Sequence, residues 1–396
     1  MKLKFYFRKP ERFPAVLLYP HRDTLFKKYV FKEIKYRIID PGSFNLDIYL
    51  NFSIILKTLK LILQELPRFN MQIIMQPREL ASKIYKIHLQ AVILILSPSV
   101  VLTFIDDSSI FHYLANKFKH IDFYSLQNGM RPQCYFDYQK PIVINNFNKK
   151  NLPYSLCFGD SDIELFRANK VDVRNYTSIG SFVGGIYWSE IRKEQKIEFD
   201  ICYISQFVSR YTNSVKDISA KILYEADILA AKRLERNLKK LINEKKYSLV
   251  IALRKENCEE EINYYQSIFG DKISFQEQSQ DSFSSYQAIN KSNLVISIYS
   301  TIAAEAMGMN KKVLFCNGSN NSSIGLPAAG ICYYEGHVYN EFKKKVDDIL
   351  YMSDAEYNSL MANNINYLMN YNHKNLPHMI VRNKILESIH NNKYST

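Results

Sequence analysis

Short apolar runs alternate with longer amphipathic stretches along almost the whole chain, the pattern of parallel strands buried between helices. In the first half the runs predict strands over Ala15–Tyr19, Tyr36–Ile39, Val100–Ile105, Asp122–Leu126 and Tyr154–Cys157, with helices near Ile48–Glu65, Pro77–Leu94 and Ser109–Lys117. In the second half they predict strands over Phe199–Ile204, Ser248–Ala252, Lys272–Phe275, Leu294–Ile298 and Lys312–Phe315, separated by helices near Val215–Asn243, Cys258–Phe269, Ser282–Asn290 and Thr301–Met307. The class is α/β, organised as two facing Rossmann-like domains. Residues 1–180 form the first, 181–198 a linker, 199–352 the second, and 353–396 a C-terminal helical segment expected to pack back across the linker. The linker expectation rests on Gly180-Ser-Phe-Val-Gly-Gly185, read as a hinge whose glycines permit unusual backbone angles, and on the charged stretch Glu190–Glu198. A surface loop within one larger domain is the alternative. Open α/β sheets bind ligands beyond the carboxyl ends of their strands, so function is expected in the loops that follow them.

At 396 residues the chain is too long for one ordinary core, and 47% hydrophobic residues suffice to fill two. The net charge of +13 favours an anionic partner without choosing among nucleic acid, acidic lipid and a charged small molecule. The six cysteines form no C-x-x-C pair, which leaves a zinc ribbon unsupported and points to a reducing cytoplasm. The stretch from Met1 to Pro14 lacks an apolar signal core, and the longest apolar run, Ala91–Ile105, is broken by Ser97-Pro98-Ser99 and is too short to span a bilayer. Peripheral contact with the cytoplasmic face of the inner membrane needs only a basic and aromatic surface patch. No H-E-x-x-H, Walker P-loop or G-x-G-x-x-G motif occurs, so zinc hydrolase, P-loop NTPase and dinucleotide dehydrogenase readings lose their main support, and no metal site or cofactor is assigned.

The predicted strand ends supply the candidate chemistry. Val100–Ile105 runs into Asp106 and Asp107, two carboxylates that can act as base or nucleophile at a desolvated strand end or, alternatively, cap the helix that follows. Asp122–Leu126 leads into Gln127, Asn128, Gly129 and Arg131, whose amide and guanidinium donors suit sugar hydroxyls and carboxylates; an ordinary Asn-Gly turn explains only the middle pair. At Gly159-Asp160-Ser161-Asp162 helix capping is the favoured reading. His21, beyond the first strand, is a further cleft candidate, whereas His88 and His112 on helices read as packing. In the second half Ser300 and Thr301 open a helix whose free N–H groups and dipole favour phosphate, with Glu305 one turn on for a ribose or for the loop. Ser205 and Gln206 follow Phe199–Ile204, and Arg254 and Lys255 follow Ser248–Ala252, where a phosphate would meet a cation. Helix-start structure for Glu305 and solvated surface charge for Arg254 and Lys255 are the competing readings.

The run Thr103-Phe-Ile-Asp-Asp-Ser-Ser-Ile-Phe111 followed by Tyr124-Ser-Leu-Gln-Asn-Gly-Met-Arg131 resembles bacterial surface-carbohydrate biosynthesis proteins with an Asp-rich turn and a QNG turn after successive strands. The opening Pro14–Tyr19 and Tyr36–Asp40 are similar to the same family. The Ser300-Thr301…Glu305 helix resembles the nucleotide-binding part of GT-B glycosyltransferases, especially those using CMP-linked sialic-acid-like or Kdo donors. Where those enzymes carry a His-Pro pair, this chain has Leu253-Arg254. The resemblance implies a metal-independent GT-B glycosyltransferase that moves a sugar from a nucleotide donor to a glycan or lipid-linked glycan acceptor. Asp106 or Asp107 would then serve the acceptor, Gln127, Asn128 and Arg131 would orient sugar, and Arg254, Ser300 and Thr301 would hold phosphate. A UDP- or GDP-hexose donor is the enzymatic alternative. A basic nucleic-acid-binding protein is the non-enzymatic one, against which stands the lack of a dense Lys/Arg run, so no specific nucleic-acid partner is expected.

Overall fold

The computed structural model describes residues 2–42, 44–68, 76–138, 152–193, 195–207, 218–254, 259–271, 273–278, 283–327, 330–372 and 374–393. Lys255, and the first residues expected for three helices and one strand (Val215, Cys258, Ser282 and Lys272), lie outside them.

The first six-stranded sheet contains β2 (Ala15–Leu18), β3 (Tyr36–Ile39), β5 (Val100–Thr103), β6 (Asp122–Leu126), β7 (Tyr154–Cys157) and β8 (Asn175–Ser178) in the order β3-β2-β5-β6-β7-β8. The second contains β9 (Phe199–Ile204), β10 (Leu249–Ala252), β11 (Ser274–Gln276), β12 (Ser292–Ser297), β13 (Lys312–Asn317) and β14 (Tyr333–Glu335) in the order β11-β10-β9-β12-β13-β14. Every pairing within both sheets is parallel. The central strands are buried on both faces, which explains why they stand out in sequence as unbroken Val, Leu and Ile runs. Chain order reverses between β2 and β5 in one sheet and between β9 and β12 in the other. These are the switch points at which loops part and leave a crevice.

Helices cover the sheets. In chain order the ones used below are α1 (Phe52–Glu65), α2 (Pro77–Leu96), α3 (Ser109–Lys117), α4 (Asp160–Ala168), α5 (Phe182–Ile186), α6 (Ile218–Lys245), α7 (Glu259–Phe269), α8 (Ser284–Asn290), α9 (Thr301–Gly308), α10 (Tyr339–Tyr351), α11 (Asp354–Leu368) and α12 (Pro377–Lys393). Several begin where a side chain satisfies a free N–H: Asn51 accepts from Ser53, Ser108 from Phe111, and Ser353 from Glu356. The last helix returns to the first sheet, with Tyr124 sharing a hydrogen bond with Ser388 and Arg382 donating to the carbonyls of Val30 and Lys32.

Three departures from expectation have simple causes. A two-stranded parallel sheet, β1 (Lys2–Tyr6) with β4 (Asn45–Tyr49), lies where no strand is expected, and β4 overlaps the start of the helix expected from Ile48. The short strands β8 and β14 lie at sheet edges and carry no apolar run. Finally, the segment expected to be a hinge is the buried helix α5. Gly184 and Gly185 have no positive φ; a Cβ on the first would collide with the Tyr371 hydroxyl, and one on the second would lie 2.8 Å from the Pro377 ring. These glycines serve close packing of the C-terminal segment, and of the group only Gly180 (φ 79°) needs glycine's backbone freedom.

Candidate functional site

Each switch point opens a cavity. On the first sheet the loops after β2 and β5 enclose about 640 Å³ lined by Pro20, His21, Arg22, Phe44, Ile105 and Asn128, among others. Tyr19 and Arg22 hold left-handed backbone angles (φ 68° and 61°), so the chain turns sharply on leaving β2 and presents His21. The imidazole lies against Phe44, ring centroids 4.9 Å apart, and burial holds its pKa below the ordinary value despite the nearby charge of Asp40. It therefore faces the cavity as a neutral ring at pH 7.

The Asp106-Asp107 turn does not cap α3, because Ser108 does so. Asp106 instead forms a two-pronged ion pair with Arg131, Nη1 to Oδ2 at 2.6 Å and Nη2 to Oδ1 at 2.8 Å, with side chains only 7% and 9% exposed. Burial works to lower the Arg131 pKa, but the Asp106 charge and its hydrogen bonds raise it overall. Behind them the ring of His112 bonds the Asp106 carbonyl at 2.9 Å. Asp107 is the accessible carboxylate: 47% exposed, it accepts a 3.1 Å hydrogen bond from Tyr135 and lies 3.8 Å from Arg131.

The three polar residues of the next turn have different jobs. Gln127 is buried and fully engaged: its amide donates to the Gly129 carbonyl and to Asp162 (3.0 and 2.7 Å) and accepts from the Phe158 N–H (3.0 Å). Arg131 braces the same turn through the Gly129 carbonyl and Asn128, both at 3.3 Å. Both residues thus stand behind the cavity wall, with no donor left over for a sugar in the case of Gln127. Asn128 alone is exposed and lines the cavity with His21.

Asp162, expected among helix-capping residues, lies inside the first turn of α4, whose N-cap is Gly159. Its Oδ2 is buried without a hydrogen-bond partner, and burial raises the carboxyl to about 7. Because the folded pKa exceeds the unfolded one of about 3.9, the folded chain retains a proton that the unfolded chain releases, so this group's contribution to stability is lost as pH rises from about 4 to 7. The slope per group is at most about 1.4 kcal/mol per pH unit. Asp162→Asn should flatten the decline between pH 5 and 7, measured by denaturant titration, and Glu235, raised to about 7 by the same cause, should account for slope that survives.

The second cavity, about 330 Å³, lies at the β9–β12 switch point and gathers Ser205, Gln206, Arg254, Ser300 and Thr301 around the start of α9. Ser300 occupies the N-cap position, yet its side chain makes no cap bond. Ser205 is buried and bonds Glu261 and Tyr265, and Glu261 also accepts from the Arg254 N–H at 3.1 Å, which fixes the loop that carries the exposed Arg254 side chain. Gln206 reaches Ser297 at 3.5 Å. Glu305 faces away from this cavity, buried between Ser181 and Tyr286, both of which donate to it, and burial raises its pKa. Its place is in the contact between α5, α8 and α9 rather than on a ribose.

Sequence reasoning missed Glu261, which an acidic helix start (Glu259-Glu260-Glu261) could have revealed. It also missed Asp227, which accepts from Tyr299 at 2.9 Å from the interior of the long α6, where no local signal marks it. Gln278 and Ser285, bonded to each other, complete the wall.

The turn Asn128-Gly129-Met130 separates the two cavities. Asn128 lines the first and Met130 the second, and the Met130 N–H donates to Thr301 Oγ1 at 2.8 Å across the cleft. A Cβ at Gly129 would lie 3.6 Å from the same oxygen.

Residues 124–385, from β6 to the last helix, match a family described as "putative O-antigen biosynthesis protein". The chain belongs to that family. No curated protein matches it by sequence. Among solved structures it is similar to a Listeria monocytogenes protein described as a "putative UDP-N-acetylglucosamine 2-epimerase", with TM-score 0.57 and 13% identity over 97% of this chain and 98% of that one. It is also similar to the wall teichoic acid polymerase TagF with CDPG (TM-score 0.51, 12% identity, 96% and 89% covered). A glycosyltransferase from Rickettsia africae is a third (TM-score 0.50, 12% identity, 98% and 100% covered). At these identities the likeness is one of fold, and the fold of two parallel-sheet α/β domains with a helical C-terminal segment is GT-B.

Proposed function

We propose that this member of the O-antigen biosynthesis family is a glycosyltransferase that carries a sugar from a nucleotide donor to a surface-glycan acceptor. The observation behind the reading is the shared wall: one turn, Asn128–Met130, borders both switch-point cavities and is tied to the start of α9. In this reading residues 1–180 hold the acceptor and 199–352 the donor. The donor phosphate meets Arg254, the Ser300 hydroxyl and the free N–H groups opening α9, and these take up the leaving charge without a metal. The acceptor enters beside His21 and Asn128, and Asp107, the exposed carboxylate of the turn, takes its proton while Asp106 and Arg131 hold that turn in place. Family resemblance and positive charge favour a CMP-linked acidic sugar, with UDP- or GDP-hexose as the alternative.

The test is thermal stabilisation by CMP, UDP and GDP followed by transfer from the matching sugar nucleotide, since a ligand that binds only the folded state raises its stability by mass action. One nucleotide should stabilise, and its sugar should be transferred only with an acceptor present. No stabilisation by any nucleotide, or isomerisation of the donor sugar without acceptor, overturns the reading. Ser300→Ala and Arg254→Ala should each weaken nucleotide binding about ten-fold or more, the scale of a lost hydrogen bond to a charged group, as measured by calorimetry.

A further inference from the structure

The N-terminal strand and first helix turn apolar side chains outward. Leu3 and Phe5 on β1, and Phe7 just after it, are 54%, 49% and 68% exposed. On α1, Phe52, Leu56, Leu59 and Leu63 are spaced at i, i+4, i+7 and i+11, one face of the helix, and all are about half exposed or more. The opposite face already has its use, since Ile54 and Thr58 are buried and Thr58 bonds His88. Helix α1 is therefore apolar on two sides, only one of which its own fold employs.

The two outward patches are one surface. The Leu50 N–H donates to the Tyr6 carbonyl at 2.7 Å and the Asn51 amide donates to the Phe7 carbonyl at 3.3 Å, which ties the end of β1 to the residues that lead into α1. At the other end of β1 the Lys2 N–H donates to the carbonyl of Phe44, and Phe44, 57% exposed, is a wall of the 640 Å³ cavity. The apolar surface thus runs from the mouth of that cavity along β1 to the length of α1. Its border is cationic: Arg8, Lys9, Arg12 and Lys60 are all exposed, and the acidic Glu11 among them is paired with Lys35.

We infer that this surface docks the protein on an anionic lipid bilayer, with α1 lying in the headgroup layer and the first cavity opening toward it. Apolar side chains on one helix face with basic side chains around them are what an interfacial helix requires, each lysine or arginine adding attraction to acidic headgroups. A second copy of the chain is a poor occupant, because pairing two such surfaces brings two cationic borders together. The docking stands on the surface itself. That it brings a lipid-linked glycan to the cavity rests on the function proposed above.

Vesicle co-sedimentation tests it. The protein should bind phosphatidylcholine vesicles containing about one-third phosphatidylglycerol, bind pure phosphatidylcholine far less, and lose binding as salt rises. Leu59→Glu/Leu63→Glu should lower binding at least ~10-fold, because it places charge where α1 enters the layer. Arg8→Glu/Lys9→Glu should lower it roughly five-fold for each charge removed, and only on the anionic vesicles. Both variants should keep the nucleotide-induced rise in melting temperature, so a protein that docks but binds no nucleotide breaks the proposed function and leaves the docking intact. Equal vesicle binding by wild type and the leucine variant overturns the inference, as does a wild-type protein that ignores anionic vesicles. So does a wild-type dimer that the leucine variant abolishes, because a second copy would then cover the face.

Discussion

Gly159→Ala should destabilise the protein by about 3 kcal/mol or more, at the upper end of what an extra methyl group costs in a packed interior. Gly159 joins β7 to α4 with φ −147°, an angle alanine adopts without strain, so the cost is steric alone. Its Cβ would collide with the Tyr367 carbonyl oxygen and lie 2.6 Å from the carbonyl carbon and 2.8 Å from the carbonyl oxygen of Leu368. All three are backbone atoms at the end of α11. They cannot rotate out of the way as a side chain would, and moving them displaces the passage of the C-terminal segment from one sheet to the other, where the Asn370 N–H also bonds the Phe158 carbonyl at 2.9 Å. Gly270→Ala is the control: at φ 79° it costs backbone strain of about 1 kcal/mol, with nothing within 4 Å to collide with. Denaturant midpoints of the two variants should therefore differ clearly. Equal midpoints would mean that the C-terminal segment yields easily, and that its close passage contributes little to holding the halves together.

The contrast marks where the sequence is informative. Central strands such as Val100–Thr103 and Phe199–Ile204 are legible because burial on both faces leaves an uninterrupted apolar run, and α3 is legible from Ser108 and its apolar spacing. The strands β1 and β4 are not, since lysines alternate with apolar residues that face outward on β1, and β4 runs almost directly into α1, with Asn51 as the boundary signal. At the site, the sequence identifies donors and acceptors but not their partners. Gln127 and Asn128 are equally polar neighbours, yet Asp162, 35 residues away, occupies the first and leaves the second at the surface. Glu305 sits one turn into a phosphate-binding type of helix start, but its side chain is claimed by Ser181 from 124 residues earlier. The glycines of 180–185 signal a need for small size whose cause, Tyr371 and Pro377, lies near the other end of the chain.

The same distinction separates the two aspartates of the turn, and their variants should fail in opposite ways. Asp106→Ala strips the partner from a buried guanidinium that has few other places to put its charge. Breaking such a pair costs about 3–5 kcal/mol, because Arg131 stays buried with only the half-exposed Asp107, 3.8 Å away, to offset its charge. Asp106→Ala combined with Arg131→Leu should recover much of that loss, since removing both charges removes the penalty. Asp107→Asn should change stability by no more than about 0.5 kcal/mol, as expected of a half-exposed side chain whose hydrogen bond from Tyr135 an amide oxygen can still accept. If Asp107 takes the acceptor proton, however, the variant should transfer sugar about 100-fold more slowly or worse while binding nucleotide normally, because an amide keeps the geometry and loses the basicity. Transfer rate and denaturation midpoint measured on all three variants decide the matter. A fully active Asp107→Asn would remove it from the chemistry, and a stable but inactive Asp106→Ala would return the proton-accepting role to the paired carboxylate.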